Sequence, residues 1–145
     1  MLQTFNKGLL FFLTFGVAGY AIYTYGFLPL GSVVHPDMKV NFQANALGIY
    51  AHIFASVLAL AIGPLQFVES IRRKHLKVHR WLGRIYLGVG VLIGGVAGLY
   101  MSQYAFGGIM AQSGFAVLAV LWLYTGLLAF LAVRRGDIEE RNWLS

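Results

Sequence analysis

Residues 82–104 read LGRIYLGVGVLIGGVAGLYMSQY. Arg84 is the one charged residue in the run, and it stands two places from the start, where its stem can snorkel to the headgroups. At about 1.5 Å of rise per helical residue, a run of this length matches a hydrocarbon core of about 30 Å. A membrane β-strand would alternate polar and apolar residues over about ten positions. This run is continuously apolar, so it is read as a transmembrane helix. Three further runs of the same kind occupy 8–30, 46–68 and 112–133, and none holds Asp, Glu or Lys in its interior. The expected fold is therefore all-α: one integral membrane domain over residues 1–145, built as an antiparallel four-helix bundle.

Composition agrees with that reading. Of 145 residues, 59% are hydrophobic and 11% charged, against roughly 45–50% and 25% in a soluble domain. That leaves too little polar material to cover a soluble monomer, and too much apolar material for disorder. With no cysteine, disulfides, thiolate metal sites, iron–sulfur clusters and a cysteine nucleophile are excluded.

Basic residues set the expected orientation. Lys7, then Arg72, Arg73, Lys74, Lys77, Arg80 and Arg84, then Arg134, Arg135 and Arg141 fall on one side of the four spans, against Lys39 on the other. Both termini are expected in the cytoplasm, with the chain in a bacterial inner membrane. The first span is read as an uncleaved signal-anchor, because its length suits a full crossing. Tyr20, Tyr23, Tyr25, Tyr50, Tyr100 and Tyr104 gather at the outer interface, and Trp81, Tyr86 and Trp143 at the inner one. The net charge of +6 is then a topology signal. The juxtamembrane cluster Arg72, Arg73, Lys74, Lys77 and Arg80 is expected to contact anionic headgroups, and no nucleic-acid partner is expected.

Eighteen glycines point to close helix packing. Gly90, Gly94, Gly98 and Ser102 recur every fourth residue, as a glycine zipper does, and Ala55, Ala59 and Gly63 offer the same spacing on the second span. A small-residue seam between spans two and three is expected. The same stripe could instead dock another subunit. Pro64 is expected to bend the second span near its cytoplasmic end.

The residues that could carry chemistry are few. His52 lies six residues into the second span, about 9 Å below its outer end. A polar group at that depth needs a partner and usually faces the bundle interior. A hydrogen-bonded histidine between helices is one reading; a ligand to haem b, a quinone contact or a proton relay are others. His79 lies at the opposite surface, so it cannot share one haem iron with His52. His35 is in a loop before Pro36. His75 and His79 share an i,i+4 face, but the lysines and arginines around them repel a metal cation, so no metal site is expected. No acid lies inside a span, which argues against a proton pump or cation transporter. No nucleophile–base pair or phosphate loop is present, so an enzyme is the least favoured reading.

The segment Gly63-Pro64-Leu65-Gln66-Phe67, followed by His79-Arg80-Trp81-Leu82-Gly83-Arg84-Ile85-Tyr86, resembles an uncharacterised family of bacterial predicted membrane proteins, a domain of unknown function. His52, Gly114-Phe115 and Trp122 fit the same pattern, and the similarity covers roughly residues 50–144. The resemblance implies a helical membrane protein and carries no assigned activity. Similar proteins usually continue with a further basic segment and another helix, and have a histidine before the tryptophan that aligns with Trp143. Here Glu140 stands in place of that histidine. The resulting expectation is a small structural or accessory subunit of a larger membrane complex, redox or energy-transducing, with other membrane subunits as partners. The alternative is a b-type haem electron carrier using His52, with His35 as a second candidate ligand.

Overall fold

A computed structural model describes residues 2–143, with side chains described for 6–136. Leu144, the end of the family resemblance, lies outside the described residues, as do the side chains of Arg141 and Trp143 assigned to the inner surface and of Glu140. Every regular element among the described residues is helical, and four stretches are long and apolar enough to cross a membrane: Asn6–Phe27, Ala46–Phe67, Leu76–Ser102 and Gly108–Gly136.

The first span is α1 (Leu2–Ile22), which widens into a π-helical turn over Tyr23–Phe27. It stops short of Leu30, because Pro29 cannot donate to a continuing helix. The connection to the second span was expected as a loop but contains α2 (Pro36–Ala44). Its start is built from ordinary helix signals. Pro36 brings a preset φ at the first position, Asp37 favours the first turn, and the His35 ring accepts from the Asp37 N–H at 3.3 Å. Among the described residues His35 is thus a helix cap, and its ring stacks on Phe106 at 5.3 Å.

The second span is α3 (Ala46–Ile62), followed by a 3-10 turn, Pro64–Phe67. Two short helices follow, α4 (Glu69–Lys74) and α5 (Leu76–Ile85). The third span therefore begins at Leu76, six residues before the expected start, so Lys77 and Arg80 ride on its first turns. It continues as a π-helical stretch, Tyr86–Ile93, and then α6 (Gly94–Ser102). The fourth span is part of α7 (Gly108–Trp143), longer at both ends than the expected 112–133.

The spans pack in sequence order. α1 lies on α3, α3 lies on both the π-helical stretch and α6, and these lie on α7. Among the described residues α1 and α7 share no substantial contact, so there the spans stand in a row in which the first and last each have one neighbouring span. The core is made of small and branched residues, Ala18, Ile49, Ala55, Val57, Ala59, Ile62, Val91 and Ala119. That composition suits helices held by close backbone approach rather than by a hydrophobic driving force. Two of the three interfaces have a readable direction. Asn45, Ala55 and Gly63 meet Tyr100, Gly94 and Tyr86 respectively, and Val91 and Gly95 meet Gly126 and Leu123. At both of these interfaces the residue numbers fall on one helix as they rise on the other.

Candidate functional site

His52 is in the second turn of α3, on the face turned toward the third span. Its Nδ1 lies 2.9 Å from the Gly94 carbonyl oxygen. A carbonyl can only accept, so Nδ1 is the donor in this contact. The ring is admitted by a glycine. A Cβ on Gly98 would come within 2.9 Å of both ring Nδ1 and Cε1. Below it, the stripe continues against small residues of α3. A Cβ on Gly94 would lie 3.3 Å from the Ala55 Cβ, and one on Gly90 2.8 Å from the Ala59 Cβ and 3.1 Å from its Cα. Gly63 faces the Tyr86 ring, 3.4 Å from where its own Cβ would be. Ser102 is buried, but its hydroxyl donates to the Leu99 carbonyl of its own helix at 2.7 Å. It therefore fills space and makes no polar bridge.

The fourth span meets the adjoining face of the third. Gly95 lies under Leu123 and Trp122, and Trp122 sets its edge against Tyr86 at 6.4 Å. Sequence reasoning placed Tyr86 only as an interfacial ring. It is the residue that links α3, the π-helical stretch and α7, and the signal for that was its place one turn beyond Gly83 in the HRWLGRIY segment.

A second polar group lies at the other end of the seam. Gln66, in the 3-10 turn, brings its Oε1 to 3.5 Å from the position a Gly83 Cβ would take. Its Nε2 is buried without a hydrogen-bond partner, as is the Nδ1 of His79, one turn before Gly83. The two segments quoted for the family resemblance thus pack on each other. From Gly94 back to His79 is about 22 Å of helical rise, so the structure holds His52 and His79 at different depths. Around this end stand the exposed side chains of Arg72, Arg73, Lys74, Lys77 and Arg80, with Phe67 and Trp81 also exposed. Arg73 pairs with Glu69 at 2.8 Å on the surface of α4, a contact worth about 0.3–0.5 kcal/mol at most. No group of three or more His, Asp or Glu side chains suited to a metal occurs among the described residues.

Residues 49–145 match the family described as Predicted membrane protein (DUF2306). The match spans more than half of the chain and includes both motif segments, close to the 50–144 over which the resemblance was read. No curated protein and no solved structure matches the chain. The chain belongs to this family of predicted membrane proteins.

Proposed function

We propose that the protein is a small multi-pass subunit of a larger assembly in the bacterial inner membrane. In this reading both termini are cytoplasmic, the four spans run antiparallel, and Arg72, Arg73, Lys74, Lys77 and Arg80 contact anionic headgroups. The observation that carries the subunit role is the open row of spans. The fourth span has one neighbouring span and only 6% of its most apolar stretch buried. Gly114 on that helix, and Gly16 and Gly19 on α1, have no atom within 4 Å of where a Cβ would stand. Glycine in a membrane helix permits close approach of another helix, and the row leaves such positions open at both of its edges. The glycine stripe Gly90, Gly94 and Gly98 serves the internal seam with α3 instead.

The test is purification of the tagged full chain from its native membranes in mild detergent. Comigration with larger membrane proteins, weakened when Gly114 and Gly19 are replaced by leucine, is the expected result. Quantitative recovery of the chain as a lone monomer would overturn the subunit role.

One observation favours a second reading, a b-type haem carrier. Histidines that bind a metal usually donate their other ring N–H to a carbonyl or carboxylate, which fixes the tautomer and raises the basicity of the ligating nitrogen. The His52 Nδ1–Gly94 contact supplies that arrangement and leaves Nε2 as the ligating atom. A reduced-minus-oxidised spectrum of the pure protein decides it: a haem difference band lost in His52→Ala supports the carrier, and a flat spectrum removes it.

A further inference from the structure

At the end of the seam opposite the basic belt, α3 and α6 leave a hollow of about 660 Å³ on the lipid-facing surface. The hollow exists because Gly48, Ala51 and Ala97 line it where larger side chains would fill it, while Ile93 and Val96 stand beside them. Gly48 also lets the helices close at this end, since its Cβ would meet the Met101 Sδ at 2.8 Å and the Tyr100 ring at 3.0 Å. The mouth is polar. The Tyr100 hydroxyl donates to Asn45 Oδ1 at 3.0 Å, and Asn45 Nδ2 donates to the Asn41 carbonyl at 3.0 Å.

We propose that this hollow seats one acyl chain of a phospholipid from the leaflet opposite the basic belt, with the glycerol-ester region level with Asn45 and Tyr100. Polarity and length select this occupant. The polar pair closes one end, and all the other residues named in the hollow are apolar. The far end is at Leu92, about 15 Å of helical rise from the span's end at Ser102. That is the depth of one leaflet of a core about 30 Å thick. A transmembrane helix of a second copy would need a seam continuing through the other leaflet. The inference is independent of the subunit reading, because it requires only the second and third spans of this chain.

The test places the full chain in vesicles of phosphatidylethanolamine and phosphatidylglycerol carrying a diazirine on the acyl chain, with crosslinks mapped by mass spectrometry. Labelling at Leu92, Ile93, Val96 and Ala97 is expected to exceed that at Leu118, Val120 and Leu121, exposed on α7, by about fivefold, because a seated chain keeps its contacts where annular lipid exchanges them. In Ala51→Leu/Ala97→Leu the excess should vanish, with the helical circular dichroism unchanged. If that variant does not fold, the comparison of the two segments in the wild-type chain still decides. Equal labelling of the two segments, an excess that survives filling, disulfide dimers of Ala97→Cys in high yield, or capture only by a photolabelled isoprenoid quinone would each overturn the proposal.

Discussion

Gly98 and Gly114 are both glycines in membrane helices, yet one lies against a histidine ring and the other faces open space. The difference predicts which substitutions the fold tolerates. At Gly90 a methyl would meet the Cβ and Cα of Ala59, and a backbone atom cannot move aside as a flexible side chain can. Gly90→Ala should cost about 1–3 kcal/mol, the usual scale of overpacking, with Gly94→Ala milder and Gly19→Ala and Gly114→Ala causing no loss. Unfolding of the four variants in detergent orders them, and equal losses at Gly90 and Gly114 would show that close approach is not what these glycines provide. Gly98→Ala should displace the His52 ring from the Gly94 carbonyl. His52→Ala alone should cost about 0.6 kcal/mol, the average for an interhelical polar contact in a membrane, and the double variant should cost less than the sum of the two, because removing the ring relieves the clash. The spacing of four along Gly90, Gly94, Gly98 and Ser102 is plain in the sequence. That Gly98 faces His52 was not, because a spacing fixes a stripe on one helix and carries no information about the height of its neighbour.

Among the elements, the π-helical stretch Tyr86–Ile93 was the least legible. Its residues, YLGVGVLI, are as apolar as the helix on either side, and a π turn has no compositional signature comparable to a cap. Such stretches arise where a surplus residue is accommodated inside an α-helix, and they recur at functional sites. Here the stretch itself carries the contacts of Tyr86 with Gly63 and of Gly90 with Ala59, and Gly94 and Gly98 beyond it carry those with Ala55 and His52. Gly88 within it faces open space. Deleting Gly88 should therefore let the stretch relax to α-helix while both sets of contacts persist. Deleting Ala97 in α6, where nothing is surplus, should rotate the following turn by about 100° and carry Ser102 off the seam. Thermal unfolding is expected to show a cooperative transition for the Gly88 deletion and none for the Ala97 deletion. Equal damage from both would mean that the widened turn absorbs no extra residue. By contrast α2 was legible, since His35, Pro36 and Asp37 form a helix start, although a short polar helix leaves no mark in hydropathy.

At the scale of the whole molecule, four apolar runs were visible at once, because helices that cross lipid must satisfy every backbone group internally and so declare themselves by length. The row order was not visible, since lipid and protein neighbours make similar demands on an apolar side chain. The sequence offers a direct way to measure orientation. The chain contains no cysteine, so a single cysteine at any exposed position reports on that position alone. Asp37, in the first turn of α2, and Lys74, at the end of α4, are both exposed and lie on opposite sides of the second span. Each basic residue near an anionic leaflet is worth about 1 kcal/mol, and five exposed ones stand in the Arg72, Arg73, Lys74, Lys77 and Arg80 belt against Lys39 on the α2 side. In intact cells a membrane-impermeant maleimide should therefore label Asp37→Cys, and should label Lys74→Cys only after permeabilisation. The opposite pattern would place the belt outside and remove its role at cytoplasmic headgroups. Labelling of both in intact cells would mean that the second span does not separate α2 from α4, and with it the four-span arrangement would fall.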